Sequence, residues 1–209
     1  HQSRAVRRYI RRTFHHLPHE EHAMRTSISR RSTIAATSLV LVGGLALGAC
    51  GGGGGSSKED ATKLLNAGLQ AEVQGDFATA KTKFEELLEV DATTKFATYN
   101  LGYIAQTVDK DNTTAATYYE AAIEADPQYG PALYNLAIIE TSKGNKARAI
   151  ELYKRAITAD PTDANANLNL GFLLFESGDR AGADAAFRKA IALNPALRQR
   201  IPADQQPTG

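Results

Sequence analysis

The side chains able to do chemistry in this chain of 209 residues are few and unevenly placed. His15, His16, His19 and His22 stand close together, with His1 as the fifth histidine. Clustered imidazoles are the right type to hold a transition metal. The same segment is Arg-rich and carries no core pattern, so the simpler reading is a solvated leader with no metal site. Cys50 is the one cysteine and has no partner for an intramolecular disulfide. Paired carboxylates occur at Glu85-Glu86 and at Asp109 and Asp111, but at places that read as solvated helix faces or turns. No GxGxxG and no Walker loop is present, and the glycines at 51–55 lack a following Lys-Ser/Thr. No cofactor is expected, and no enzyme site stands out.

The residues around Cys50 point to export. After Met24, Arg25, Arg30 and Arg31 form a basic stretch, and residues 34–49 form a mostly apolar run of 16. That is shorter than the roughly 20 residues a spanning helix needs. The run ends in Leu47-Gly48-Ala49-Cys50, which resembles the bacterial lipobox. The resemblance implies that Cys50 is acylated and becomes the first residue of a mature protein anchored by lipid to a bacterial membrane, on its periplasmic or cell-surface side. An uncleaved anchor and an ordinary cleaved signal are the alternatives. Ser29-Arg30-Arg31 suggests twin-arginine export, although Thr33 stands where an apolar residue is expected. Residues 1–23 then read as an over-extended start or a disordered leader. Cleavage before Cys50 removes every imidazole and lipid consumes the one thiol, which excludes Ser-His-Asp and Cys-His catalysis. Residues 50–57 read as the lipidated Cys and a Gly/Ser tether spanning roughly 15 Å. Two or more acyl chains make a stable anchor.

Charge divides the chain in the same place. Residues 1–49 hold eight of the 24 Lys and Arg and two of the 23 Asp and Glu, leaving residues 50–209 with 16 against 21, a net −5. This mildly acidic part shows no basic patch for nucleic acid.

A period of about 34 residues organises the chain beyond the tether. Residues 130–163 set the unit: an apolar half (LYNLAIIE), a polar break (SKGN), a second half (ARAIELYKRAI), and a close at Asp160-Pro161. Leu170-Gly171, Gly178, Ala183, Phe187, Ala190 and Pro195 repeat it downstream. Leu101-Gly102, Ala115, Tyr119, Ala122 and Pro127 repeat it upstream, and Ala67-Gly68, Gly75, Ala80, Phe84, Leu87 and Ala92 form a weaker fourth copy. These residues resemble the tetratricopeptide repeat family. The resemblance implies an all-α, right-handed α-solenoid of about four helix–turn–helix repeats (about 61–94, 95–129, 130–163 and 164–197, within a domain at 58–197). Helices are expected near 58–73, 77–90, 94–107, 113–125, 130–142, 146–159, 164–177 and 180–193. Gly75-Asp76, Gly144-Asn145 and Gly178-Asp179 suit a helix end followed by a helix start. One extra residue between Gly102 and Ala115 falls in the polar turn at 107–112 and reads as a longer loop. Residues 198–209 read as a disordered tail beyond at most one helical turn. The last repeat's outer face, near Leu173 and Phe187, is thus expected to be exposed or used for pairing.

The family's groove is lined by successive first helices. Here their columns are Leu65, Tyr99, Tyr134 and Leu168; then Leu69, Tyr103, Ile138 and Phe172; then Gln106, Thr141 and Phe175. Between them runs Asn66, Asn100, Asn135 and Asn169. Residues four apart share a helix face, so the aromatic stripe is either a groove or inter-repeat core, and the Asn column either bonds a ligand's backbone or braces helices. Family members that clamp an acidic C-terminus use Lys and Arg here, and this chain does not. The expected function is a scaffold binding an apolar peptide or helix of an envelope protein partner, with complex assembly as its process. The alternative is a structural homo-oligomer that buries the stripe by self-association.

Overall fold

The computed structural model describes residues 55–90 and 94–207. The histidine cluster, the export signal and Cys50 lie outside the described residues. Eight helices succeed one another in tandem: α1 (Gly55–Gln74), α2 (Phe77–Val90), α3 (Thr94–Thr107), α4 (Asn112–Ala125), α5 (Gly130–Ser142), α6 (Lys146–Ala159), α7 (Ala164–Glu176) and α8 (Arg180–Leu193). Among the described residues there is no strand, and each helix packs on the next in sequence to form a solenoid. No described helix is long and apolar enough to cross a membrane. α1 starts earlier than the tether expectation allowed: its first turn takes in residues 55–57, and Ser is well suited to helix starts.

The sequence dictates two kinds of helix. α6 is amphipathic, burying Ala149, Leu152, Tyr153 and Ala156 on one stripe and turning Arg148, Glu151 and Lys154 outward. α5 and α7 are apolar on more than one side because each lies between the preceding repeat's second helix and its own. Within a repeat, the two helices approach at a residue with little or no side chain. A Cβ at Gly171 would lie 2.5 Å from the Phe187 ring, and one at Gly102 would lie 2.8 Å from the Tyr119 ring. Phe84, Tyr119, Tyr153 and Phe187 are buried, as are Ala80, Ala115, Ala149 and Ala183 beside them.

Corners between repeats share one geometry. Asp126, Asp160 and Asn194 each leave the helical region just before a proline, which disfavours a helical residue at its N-terminal side. Each side chain then accepts from the backbone N–H two residues on: Gln128 at 3.0 Å, Thr162 at 2.9 Å and Ala196 at 3.2 Å. Within repeats, Gly75, Gly144 and Gly178 take positive φ at the turn. The longer α3–α4 turn puts Lys110 in that region instead, at φ 60°. Asp76, Asp111, Asp163 and Asp179 cap the following helices. Asn145 departs from that role. Its side chain makes no cap bond and instead donates to Glu140 at 2.7 Å. Burial pushes the Glu140 carboxyl up, but the bonds from Asn145 and Lys143 outweigh it and hold it below the usual value.

The C-terminal end corrects the sequence reading. Pro195–Arg200 forms a 3-10 helix, and Ala203–Gln205 a second turn of the same kind. Leu197 and Ile201 are buried in the same core as Leu173, Leu174 and Phe187. Arg200 donates to Asn165 on α7 at 3.2 Å, and Gln206 donates to the Arg198 and Ile201 carbonyls. The last repeat's outer face is thus covered by the chain's own end, so Leu173 and Phe187 are not exposed for pairing. Ile201 stands two periods after Leu133 and fills the place a next repeat's first helix would take. We expect Ile201→Ala to cost about 2–4 kcal/mol in a urea unfolding titration. A loose tail would give no change.

Candidate functional site

Hydrogen bonds show the first helices lying side by side. Asn135 on α5 donates to the Tyr99 hydroxyl of α3 at 3.4 Å and to the Tyr119 hydroxyl of α4 at 3.3 Å. One repeat on, Asn169 of α7 donates to Tyr134 of α5 and Tyr153 of α6, both at 3.3 Å. Each of these Asn side chains ties both helices of one repeat to the next. Asn100 has no such partners, because the equivalent places one repeat earlier hold Leu65 and Phe84, which have no hydroxyl. It turns back to the Phe96 carbonyl at 2.8 Å. Asn66, in the first repeat, is exposed.

The first column supplies mostly core. Leu168 is fully buried and offers a ligand no surface. Leu65 is half-buried against the core of α1–α3. The Tyr99 ring packs 5.8 Å from Tyr119 and 5.4 Å from Tyr129, and the Tyr134 ring packs 5.8 Å from Tyr153. Burial raises the Tyr99 and Tyr134 hydroxyls above the usual tyrosine value, partly offset by the Asn135 and Asn169 bonds.

The second column is more open. Leu69 and Tyr103 are 39% and 42% exposed. Ile138 and Phe172 are half-buried, with Phe172 stacked edge-on to Phe187 at 5.2 Å. In the third column, Gln106 accepts from the Tyr119 hydroxyl at 2.8 Å, Thr141 donates to the Ala137 carbonyl, and Phe175 lies 3.6 Å beneath the Arg180 guanidinium. The stripe is therefore one contiguous face, part core and part surface. Its most open part is at α1 and α3, which carry Leu69 and Tyr103, and Val73 on α1 is exposed as well.

Two members of this region escaped the sequence reading. Tyr129 closes an aromatic cluster with Phe96 and Tyr99, and Lys95 lies 5.4 Å above its ring while pairing with Asp126. Glu72 stands one period before Gln106, so the repeat register alone places it in the third column. One of its carboxylate oxygens is buried without a hydrogen-bond partner. Burial pushes its pKa up to about 7. Elsewhere on the surface, a cavity of about 220 Å³ is lined by residues that include Glu120, Arg148 and Arg155. Its cations are already engaged, Arg148 by Glu120 and Arg155 by the Pro127 carbonyl.

Sequence models of one family, described as Tetratricopeptide repeat, match residues 108–164 and 140–200. Among curated proteins, none matches the chain. Of solved structures, the chain is similar to the MamA protein, with 24% identity over 68% of this chain and 77% of that one, at a TM-score of 0.57. It is similar to pilF of Pseudomonas aeruginosa, with 22% identity over 67% of this chain and 64% of that one, also at 0.57. YrrB, described as a TPR protein with an unusual peptide-binding site, shares 24% identity over 68% of this chain and 71% of that one, at 0.53. At these identities the likeness is one of fold.

The Asn braces are open to a direct test. Asn135→Ala and Asn169→Ala should each cost about 1–2 kcal/mol in urea unfolding, and Asn100→Ala only a few tenths. Equal costs at all three would remove the bracing account. For Glu72, a carboxyl raised in the fold above its unfolded value near 4.5 favours the protonated native state. Its penalty is absent at low pH and grows as pH rises through about 7. Glu72→Gln should therefore gain Tm relative to the parent at pH 8 and lose that gain at pH 4. A constant difference across a circular-dichroism melting series would contradict it.

Proposed function

Since residues 108–200 match tetratricopeptide repeats and all eight described helices continue that solenoid, we propose that the protein is an interaction scaffold that binds an apolar peptide or helix of a protein partner along its first-helix face. The observation that carries this reading is the run of apolar side chains left partly open across the repeats: Leu69, Tyr103, Ile138, Phe172 and Phe175. A row of aromatic and aliphatic side chains on neighbouring helices suits a peptide laid across them, with a few anchors giving most of the energy. The fold likeness to YrrB, a peptide-binding repeat protein, supports the same mode. In this reading the Asn column contributes stiffness, because Asn135 and Asn169 are already bonded within the solenoid.

The scaffold would be exported and held at a bacterial membrane by acyl chains on Cys50, and would aid assembly of an envelope complex. The support for this part is sequence alone: Arg25, Arg30 and Arg31, the apolar run at 34–49, and Leu47-Gly48-Ala49-Cys50. Self-association is a second reading, favoured by the exposure of Leu69, Val73 and Tyr103 together at one end.

Two measurements test these readings. A mass spectrum of native protein extracted from membranes should show an acylated Cys50 with nothing upstream. A soluble chain that retains His15–His22 would overturn the anchor. For the face, the double variant Leu69→Asp, Tyr103→Asp should lose the partner crosslinked to the parent protein in those membranes, with its own sedimentation mass unchanged. If the variant falls from oligomer to monomer and still captures the partner, the face serves self-association.

A further inference from the structure

The joint between the second and third repeats holds a slot bridged at two places. Arg148 on α6 donates to Glu120 on α4, and Arg155, further along α6, donates to the Pro127 carbonyl beyond the end of α4. At roughly 1.5 Å of rise per residue, the two arginines stand about 10 Å apart along the helix. Both line the cavity of about 220 Å³, where the half-buried Ile123 and the buried Leu136 and Leu152 supply apolar wall. Arg148 and Glu151 belong to the same lining and are exposed, so the slot is reached from solvent. Leu136 lies two residues from both Tyr134 and Ile138, about 200° round α5. The slot is therefore on the other side of that helix from the apolar face.

At the preceding joint the chain fills this place itself. One period back, Thr114, Thr117, Tyr118 and Ala121 stand where α6 has Arg148, Glu151, Leu152 and Arg155. Tyr118 packs on the core of α1–α3, its Cβ 3.1 Å from where a Cβ at Gly102 would lie. One period on, the equivalent residues are Gly182, Ala185, Ala186 and Lys189. Of these three joints, only the middle one sets two guanidiniums across an open apolar space.

We propose that this slot receives an aromatic side chain, Tyr or Trp, projecting from the surface of a partner protein. The size suits a ring, since about 150 Å³ of apolar space is enough to take a benzene molecule. A guanidinium toward either end offers the ring face a cation to stack on. Two Arg and two Glu make the lining neutral overall, so neither an anion nor a cation is favoured there. Glu151 at the rim can accept from an indole N–H or a phenol O–H. The slot goes beyond the apolar face and does not depend on it.

The test is a methyl NMR titration of the purified full chain, labelled at Ile and Leu, with N-acetyl-tryptophanamide, N-acetyl-leucinamide and inorganic phosphate as separate probes. The Trp probe should shift the Ile123, Leu136 and Leu152 methyls to saturation and bind about threefold tighter than the Leu probe. Arg155→Met, which keeps the stem and removes the guanidinium, should lower that preference and leave the Leu probe unchanged. Leu152→Tyr, which copies the ring of Tyr118 into the slot, should abolish the shifts at Ile123 and Leu136. Shifts that persist in Leu152→Tyr would overturn the inference. So would shifts centred on Leu69 and Ile138, which would leave the apolar-face reading intact. Phosphate moving the slot methyls as strongly would mark an anion site and overturn it, as would silence from all three probes. Helical circular dichroism of both variants separates loss of the slot from loss of the fold.

Discussion

Every repeat depends on one contact: a ring set against a backbone that has almost no side chain there. Phe84 meets Gly68, Tyr119 meets Gly102, and Phe187 meets Gly171, each closer than a Cβ would permit. The third repeat has Ala137 in the glycine's place, beside Tyr153. Glycine in a helix interior costs roughly 1 kcal/mol against alanine, and that cost is accepted at three of four equivalent places. What offsets it is a fully buried aromatic ring per repeat. The small alanines of the second helices then let neighbouring pairs close up, and the short Asp-Pro or Asn-Pro corners keep the pairs in register.

The surface is a consequence of that packing. Once the rings fill the space between paired helices, the first helices are left to meet one another directly. In the middle repeats they do so through an amide and two hydroxyls. Polar groups used this way are already bonded within the solenoid, and what stays open on this face is mostly apolar. Surface ion pairs such as Lys81–Asp109 and Arg148–Glu120 also link neighbouring repeats, but exposed pairs of this kind contribute little.

The helices were legible in the sequence because the period is written several times over, in Gly, Ala, aromatic and Pro columns that each have a steric cause. The covered end was not. Leu197 and Ile201 are two isolated apolar residues between Pro195 and Pro202, too few to show a helical period, and only the exposed core of α7 and α8 gives them a place. In the face, the columns were readable as positions but not as depths. Leu168 and Leu69 share a type and a helix face, yet one is enclosed between the preceding repeat and the C-terminal turns and the other stands at the open end. Glu72 was hidden by its own chemistry, since a glutamate reads as solvated until the fold encloses one of its oxygens.

The described core comes in two parts, one within α1–α3 and one running from α3 through the C-terminal turns. Asn100 finds no hydroxyl to bridge the first repeat to the second, as its counterparts do further on. In a solenoid, stability is close to a sum of units and joints, and the joint between the first and second repeats lacks the amide tie that the later joints have. If the chain is tethered from its N-terminal side, tension enters through α1 and reaches this joint first. The first repeat would then yield as a mechanical fuse, sparing the braced remainder.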